Sequence, residues 1–431
     1  MGAQAYDNLP QLVFSICTKY GKQKTALKFK QDGMYKELNY CELWDRIENF
    51  ALGLLSLGFK QGDRIAIISE NRIEWLIADV AIASIGAITV PLFPSTTPKQ
   101  EEYIFNDCTA TGVIVSNLYQ LNKIKVIQNN VPTLRHIMIL DNADTAPETD
   151  LSVKTFHEIY NIGEISRTKE QRDKIIQERI IRNKPDEILT IIYTSGTTGD
   201  PKGVVLTHSN IVSNVLASAK SINFGEEDVF LSYLPWCHAY EHTVIYAAFH
   251  CGALIALAES IDTISTNIKE IRPTLMTTVP RLLEIIRKRI YSQIAKESKI
   301  KQRIFNWAFK IGAKYALEIT SRKVSTVVKN KYKIADMLVF SKIREKLGID
   351  KIRFISGGAP LNVDVNLFFW ALGYKVYEGY GLTEASPVVS VTREDDVEFG
   401  TVGKPLDGVE VKIADDGEIL VRGPNVMRGY W

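Results

Sequence analysis

The run Tyr193-Thr194-Ser195-Gly196-Thr197-Thr198-Gly199-Asp200-Pro201-Lys202-Gly203-Val204 concentrates four aliphatic hydroxyls, three glycines and a lysine in twelve positions. It follows Ile188-Leu189-Thr190-Ile191-Ile192, a mostly apolar segment of the kind that forms a buried strand. Glycines let backbone N–H groups come close to an anion, and hydroxyls and an ammonium add further donors. A strand that empties into such a loop is a candidate phosphate cradle. It is not a Walker P-loop, because that pattern requires glycine five positions after Gly196 and Pro201 stands there.

Three further blocks carry candidate chemistry. The first, Leu234-Pro235-Trp236-Cys237-His238-Ala239-Tyr240-Glu241-His242, contains His-x-x-Glu-His, an inverted zinc-protease signature. Pro235 lies close before it and no second acidic motif accompanies it, so zinc hydrolysis is not expected. The second is Ser356-Gly357-Gly358-Ala359-Pro360-Leu361. The third is Tyr377-Glu378-Gly379-Tyr380-Gly381-Leu382-Thr383-Glu384, which imitates a dinucleotide fingerprint but has Glu384 where the third glycine belongs.

The order of the phosphate-type loop and the last two blocks, followed by Gly403-Lys404-Pro405 and Gly417-Glu418-Ile419-Leu420-Val421-Arg422-Gly423, resembles the adenylate-forming superfamily of acyl-CoA synthetases, luciferases and peptide-synthetase adenylation domains. The resemblance runs from the strand at Asp63 to Trp431. Its chemistry is coherent. A carboxylate is a poor electrophile until AMP is transferred onto it. That transfer brings two anions together and calls for donors, a divalent cation and exclusion of water. The resemblance implies that Thr194, Ser195, Gly196, Thr197, Thr198 and Lys202 hold the terminal phosphates of ATP. It implies that Thr194 and Glu384 bind Mg2+, and that Gly357, Gly358 and Ala359 form a wall beside the adenine. Tyr380 is expected to stack on the base within a nucleotide-binding run that includes Glu378, Gly379, Gly381 and Thr383. His238, with Lys202, is expected to be catalytic, meeting the carboxylate or α-phosphate, and Trp236 is expected to border an acyl tunnel. Taken alone, Glu384 is a surface carboxylate, Tyr380 a core tyrosine and His238 a core histidine; the flanking motifs carry these assignments.

Within the superfamily, the form Leu-Pro-x-x-His-x-x-Glu and the helical insertion between Pro280-Arg281 and Ser356 resemble long-chain fatty acid–CoA ligases. The implied substrates are fatty acid, ATP and CoA. Transfer to a carrier-protein thiol and a non-catalytic nucleotide- or acyl-binding module are the alternatives. The superfamily's mobile C-terminal lid, with its ribose-binding aspartate and reactive-site lysine, falls beyond Trp431. Residues 1–431 are therefore expected to be the large N-terminal domain alone, able to bind its substrates but slow to adenylate.

These blocks need elements to hold them. Helix-like spacing at residues 43–57 and 74–85 alternates with apolar runs at 63–68 and 87–92, and similar runs recur at 113–115, 137–140 and 352–355. Such alternation predicts an α/β fold of parallel sheets covered on both faces, and the resemblance implies two doubly wound, mainly parallel sheets packed together. From about residue 385 to 431 the texture changes. Residues 409–422 read as a hairpin, and the resemblance implies a smaller β-barrel-like subdomain there. Residues 243–258 read as a buried helix followed by a strand. Residues 301–333 read as one long amphipathic helix with Ile304, Ala308, Ile311, Tyr315 and Ile319 on its apolar stripe.

The chain of 431 residues is 45% apolar and 24% charged, an ordinary composition for a globular protein large enough to need no staples. Its five cysteines are scattered without a CxxC pair, which fits a reducing, cytoplasmic setting. No secretory signal is visible, and Tyr6 spoils a myristoylation match. Residues 281–346 hold 18 Lys+Arg against five Asp+Glu, a surplus of 13 that leaves the remainder at −11 under a net charge of +2. That basic segment is either a solvated helical face or a surface for an anionic partner. A peripheral membrane contact through residues 281–346 suits a lipid-soluble substrate. No recognition motif accompanies the charge, so nucleic-acid binding is not expected.

Overall fold

The computed structural model describes residues 6–141, 153–165, 167–194 and 199–431. Two large sheets organise it. The eight-stranded sheet runs Gly429–Tyr430, Lys202–Thr207, Ile188–Thr194, Ile88–Leu92, Arg64–Ile68, Gly112–Val115, His136–Ile139, Val153–Thr155. It is parallel from Ile188–Thr194 onward and antiparallel at the two strands before it. The nine-stranded sheet runs Lys404–Pro405, Val388–Val391, Lys375–Gly381, Arg353–Ser356, Leu275–Thr278, Val229–Ser232, Leu254–Leu257, Thr25–Gln31, Met34–Asn39. Its six middle strands are parallel, with antiparallel strands at both margins.

Successive side chains of a strand face opposite sides of its sheet, and here both sides are covered. Ile65 and Ile67 join the core between the sheets, whereas Ala66 and Ile68 face an outer helical layer. Phe230 and Ile255 belong to that same middle core, and Leu231 and Ala256 to the outer layer of the second sheet. Double coverage is why these strands read as unbroken apolar runs. The helices Ile73–Ser84 and Ala239–His250 lie in the shared middle layer and are buried almost all round. Between them, Asp79 accepts hydrogen bonds from His242 Nε2 at 2.8 Å and from the Tyr246 hydroxyl. Burial opposes ionisation of Asp79, but the His242 and Tyr246 partners hold its pKa below the usual carboxylate value.

The expected α/β architecture is therefore present, as is the helix-then-strand reading of residues 243–258. Two expectations need correction. Residues after 384 do not close into a barrel-like unit. Val388–Val391 and Lys404–Pro405 extend the nine-stranded sheet, Gly429–Tyr430 pairs with Lys202–Thr207, and only Glu410–Ile413 and Ile419–Arg422 form the separate hairpin. The long helix is two helices, Lys299–Thr320 and Thr326–Ala335, because Arg322 takes a left-handed φ of 58° that stops the first. Its buried face is Phe305, Ala308, Gly312 and Ala316: Ala308 lies on the expected stripe, and the other three each fall one position after Ile304, Ile311 and Tyr315. The reason is close helix approach: a Cβ on Gly312 would sit 2.7 Å from the Cβ of Ala371 in the helix Val363–Ala371. Ile304 and Ile319 are left exposed.

The N-terminal helix Leu9–Tyr20 is anchored through its first turn. Asn8 accepts from Gln11 N and donates to the carbonyls of Ile180 and Asn183, while Leu9 N donates to Nδ1 of the buried His208 at 3.3 Å. Burial pushes the His208 pKa down to about 4, from an ordinary 6.5. The folded state thus keeps this ring neutral where the unfolded chain would protonate it, so its share of stability is lost as pH falls from about 6.5 to 4. The shift corresponds to at most about 3 kcal/mol. His208→Asn, whose Oδ1 can replace Nδ1 as the acceptor, should show a smaller loss of denaturation midpoint between pH 6.5 and 4 than the parent. Parallel curves would contradict this role.

Candidate nucleotide-binding active site

A cavity of about 520 Å³ opens where strands of the two sheets end. From the eight-stranded sheet come Thr194, the last residue of its strand, and Lys202, the first of the returning strand and the register partner of Thr194. The loop expected to cradle phosphate joins these two residues; Ser195, Gly196, Thr197 and Thr198 lie outside the described residues. From the nine-stranded sheet come Gly357 and Gly358, just past Arg353–Ser356, and Gly379, Tyr380 and Gly381 in Lys375–Gly381. Thr383 and Glu384 follow in the next turn and also line the cavity. A crevice beyond the carboxyl ends of parallel strands is the general ligand position in open α/β sheets.

Local packing explains the small residues. A Cβ on Gly357 would sit 3.2 Å from Cζ of Tyr240, whose hydroxyl donates to the Ile355 carbonyl at 2.8 Å. A Cβ on Gly381 would lie 2.1 Å from the Pro387 carbonyl oxygen, where Lys375–Gly381 and Val388–Val391 meet at a register shift. The turn bearing Glu384 is clamped by buried asparagines. Asn214 exchanges two hydrogen bonds with the backbone of Val388, at 2.7 and 3.1 Å, and Asn425 donates to the Ala385 carbonyl at 2.9 Å. Ile222, Val244, Val388 and Val391 supply the apolar wall beneath.

His238 stands exposed at the rim. Its Nδ1 accepts from Tyr240 N at 3.2 Å and caps the helix Ala239–His250. Desolvation of the part of the ring turned away from solvent keeps its pKa below the ordinary imidazole value. The zinc-like triad does not converge. Glu241 takes hydrogen bonds from Ser232 and Thr277, His242 binds Asp79, and His238 caps its own helix. Burial raises the Glu241 pKa to about 7 against the pull of those two hydroxyls.

Ten of the expected residues thus line one cavity: Thr194, Lys202, His238, Gly357, Gly358, Gly379, Tyr380, Gly381, Thr383 and Glu384. Three do not. The Glu378 carboxylate is buried and accepts from Asn366 Nδ2 at 2.9 Å, toward the helix Val363–Ala371. Ala359 is exposed past the strand end and outside the cavity lining. Trp236, expected beside an acyl tunnel, is a core residue here; its Nε1 donates to Ser232 Oγ at 2.8 Å and its ring meets Trp75 edge-on. Sequence reasoning missed Tyr240 and Tyr430. Tyr240 carried a signal, since it follows His238 in the motif. Tyr430 carried none, because only chain pairing more than 200 positions apart brings it in.

The chemistry of the donors fits a magnesium ion. Glu384 brings a carboxylate and Thr194 a hydroxyl, hard oxygen donors of the type Mg2+ takes, in a site whose remaining ligands would be phosphate and water. Among the described residues no group of three or more His, Cys, Asp or Glu side chains is placed to hold a metal by itself.

The model of the AMP-binding enzyme family matches residues 14–431. The chain belongs to the AMP-binding enzyme family. It is 31% identical over 404 residues to the long-chain-fatty-acid–CoA ligase FadD15 of Mycobacterium bovis, covering 93% of this chain and 64% of that protein. It is 33% identical over 452 residues to fatty acyl-CoA synthetase B of Dictyostelium discoideum, covering 99% of this chain and 64% of that protein. The chain thus spans somewhat under two thirds of these relatives. Among solved structures, a long-chain-fatty-acid–CoA ligase from Archaeoglobus fulgidus superposes with a TM-score of 0.74 at 19% identity, over 99% of this chain and 77% of that one, which establishes the shared fold.

The contact under Gly381 has a direct test. Gly381→Ala must displace Pro387 and the strand behind it, so its melting temperature should fall by several degrees. An unchanged melting temperature would mean that this close approach is absent in solution.

Proposed function

We propose that this domain binds ATP and the carboxylate of a long-chain fatty acid in the cavity and joins them as an acyl-adenylate, the first half of a fatty acid–CoA ligase reaction. What supports the reading is the convergence, on one cavity, of ten residues drawn from both sheets. In this account a carboxylate oxygen attacks the α-phosphorus, the bond to the β-phosphate oxygen breaks, and pyrophosphate leaves. CoA sulfur then attacks the acyl carbon and AMP departs.

Each residue has a share in that chemistry. Tyr380 covers the base, and Gly357 and Gly358 leave a flat wall for it. The Lys202 ammonium, with the hydroxyls and backbone donors of residues 194–198, offsets phosphate charge. His238 sits where carboxylate and α-phosphate meet, and its depressed pKa leaves a neutral ring near pH 7, able to donate one hydrogen bond without trapping either anion. Glu384 and Thr194 would hold magnesium, which supplies positive charge beside the phosphate oxygens. The apolar wall of Ile222, Val244 and Val391 limits water at the reacting centre.

The same reading includes a lipid surface. Ile300, Ile304 and Trp307 are exposed at i, i+4 and i+7 of the helix Lys299–Thr320, with exposed Arg303 and Lys310 beside them. An apolar stripe flanked by cations suits the interface of an anionic bilayer, from which a fatty acid is drawn. No described helix is long and apolar enough to cross a membrane, and the five cysteines are free thiols, in keeping with a reducing compartment such as the cytoplasm.

Thermal shift with Mg–ATP and with fatty acids of graded length tests the substrate class, since stabilisation grows with the logarithm of ligand concentration over its dissociation constant. The melting temperature should rise with ATP and peak at a long acyl length, and Lys202→Ala should weaken ATP binding by about tenfold or more. Absence of any ATP-dependent shift would overturn the reading. For the membrane face, the chain should sediment with anionic but not zwitterionic vesicles, and Trp307→Ser with Lys310→Glu should abolish this. Equal sedimentation with both vesicle types would count against it.

A further inference from the structure

Tyr430 touches both charged groups of the cavity. Its hydroxyl donates to Glu384 Oε1 at 2.9 Å, and its ring lies 5.4 Å from the Lys202 ammonium in cation–π geometry. The backbone around it joins the same two places. Gly429 and Tyr430 pair antiparallel with Val205 and Val204, in the strand that begins at Lys202. Arg428 N donates to the Val205 carbonyl at 3.0 Å and Trp431 N to the Gly203 carbonyl at 2.8 Å. Met427 N donates to the Glu384 carbonyl at 2.8 Å. Residues 427–431 therefore tie the end of the phosphate-type loop, on one sheet, to the carboxylate turn of the other. Half of the Tyr430 side chain remains in solvent, so core packing does not require it.

We infer that Tyr430 is a positioning residue for Glu384 and Lys202: its hydroxyl holds one carboxylate oxygen, leaving Oε2 for a divalent cation shared with the nucleotide phosphates, while its ring steers the lysine ammonium. The inference rests on the nucleotide reading of the cavity. Its physical basis is general. A carboxylate ligand loses orientational freedom when a second group hydrogen-bonds it, and removing such a partner typically costs 10–100-fold in metal affinity. A lysine ammonium held over an aromatic face keeps its charge while giving up rotamers.

The test separates this role from a structural one. ATP binding to the chain is measured by calorimetry across a magnesium titration and again in EDTA. Tyr430→Phe keeps the ring and loses the hydroxyl. It should raise the magnesium concentration for half-maximal enhancement of ATP binding by about tenfold or more, with metal-free ATP affinity within about twofold. Tyr430→Leu removes the ring as well and should also weaken metal-free binding. A magnesium dependence of Tyr430→Phe identical to the parent's would overturn the inference while leaving the nucleotide site standing. A parent chain whose ATP binding ignores magnesium would also overturn the inference alone, whereas one that binds no ATP with or without magnesium would remove both readings. Unchanged melting temperatures would confirm that neither variant acts through unfolding.

Discussion

The two sheets share a single layer of helices, and that shared layer sets the distance across the cavity. Ile73–Ser84 and Ala239–His250 have no solvent face to spare, and the buried contact of Asp79 with His242 and Tyr246 locks one to the other. Removing one partner of such a group would leave a charge or hydroxyl unpaired in the core, which is costlier than the contact is stabilising. The consequence is functional. Thr194 and Lys202 hang from one sheet, Gly357 through Glu384 from the other, and the middle layer holds the two sets in register. His238, the cap of Ala239–His250, is carried to the rim by the same layer.

Charge has a corresponding division of labour. Within the cavity Lys202 and Glu384 stand on opposite sheets, and Tyr430 contacts both, the cation through its ring and the carboxylate through its hydroxyl. Away from it, the basic helical segment gathers much of the chain's positive charge on one region while the rest is acidic. Solvent-exposed isoleucines and a tryptophan among those cations are hard to explain as packing, because the helix buries a different face through Phe305, Ala308, Gly312 and Ala316.

Much of this was legible in the sequence, for physical reasons. Parallel strands covered on both sides must be apolar at every position, so Ile65 to Ile68 and Val113 to Val115 declare themselves. Site glycines were legible because few other uses explain so many beside hydroxyls. What stayed hidden depends on tertiary contacts. The two-residue strand at Gly429–Tyr430 has no local pattern, and its partner lies at Val204 and Val205. Counting large apolar residues misassigned the face of Lys299–Thr320, since close helix approach is made by small ones. Glu378 sat inside the right motif, but its side chain leaves the cavity for Asn366.

The proposed chemistry stands on a nucleotide entering the cavity between Lys202 and Tyr380. A crystal structure of the chain with a non-hydrolysable ATP analogue and magnesium addresses it most directly. The base should lie against Tyr380 and the Gly357-Gly358 wall, with the terminal phosphates at Lys202 and the loop that precedes it. Density for the nucleotide elsewhere, or a cavity filled by the polypeptide itself at saturating ligand, would contradict it.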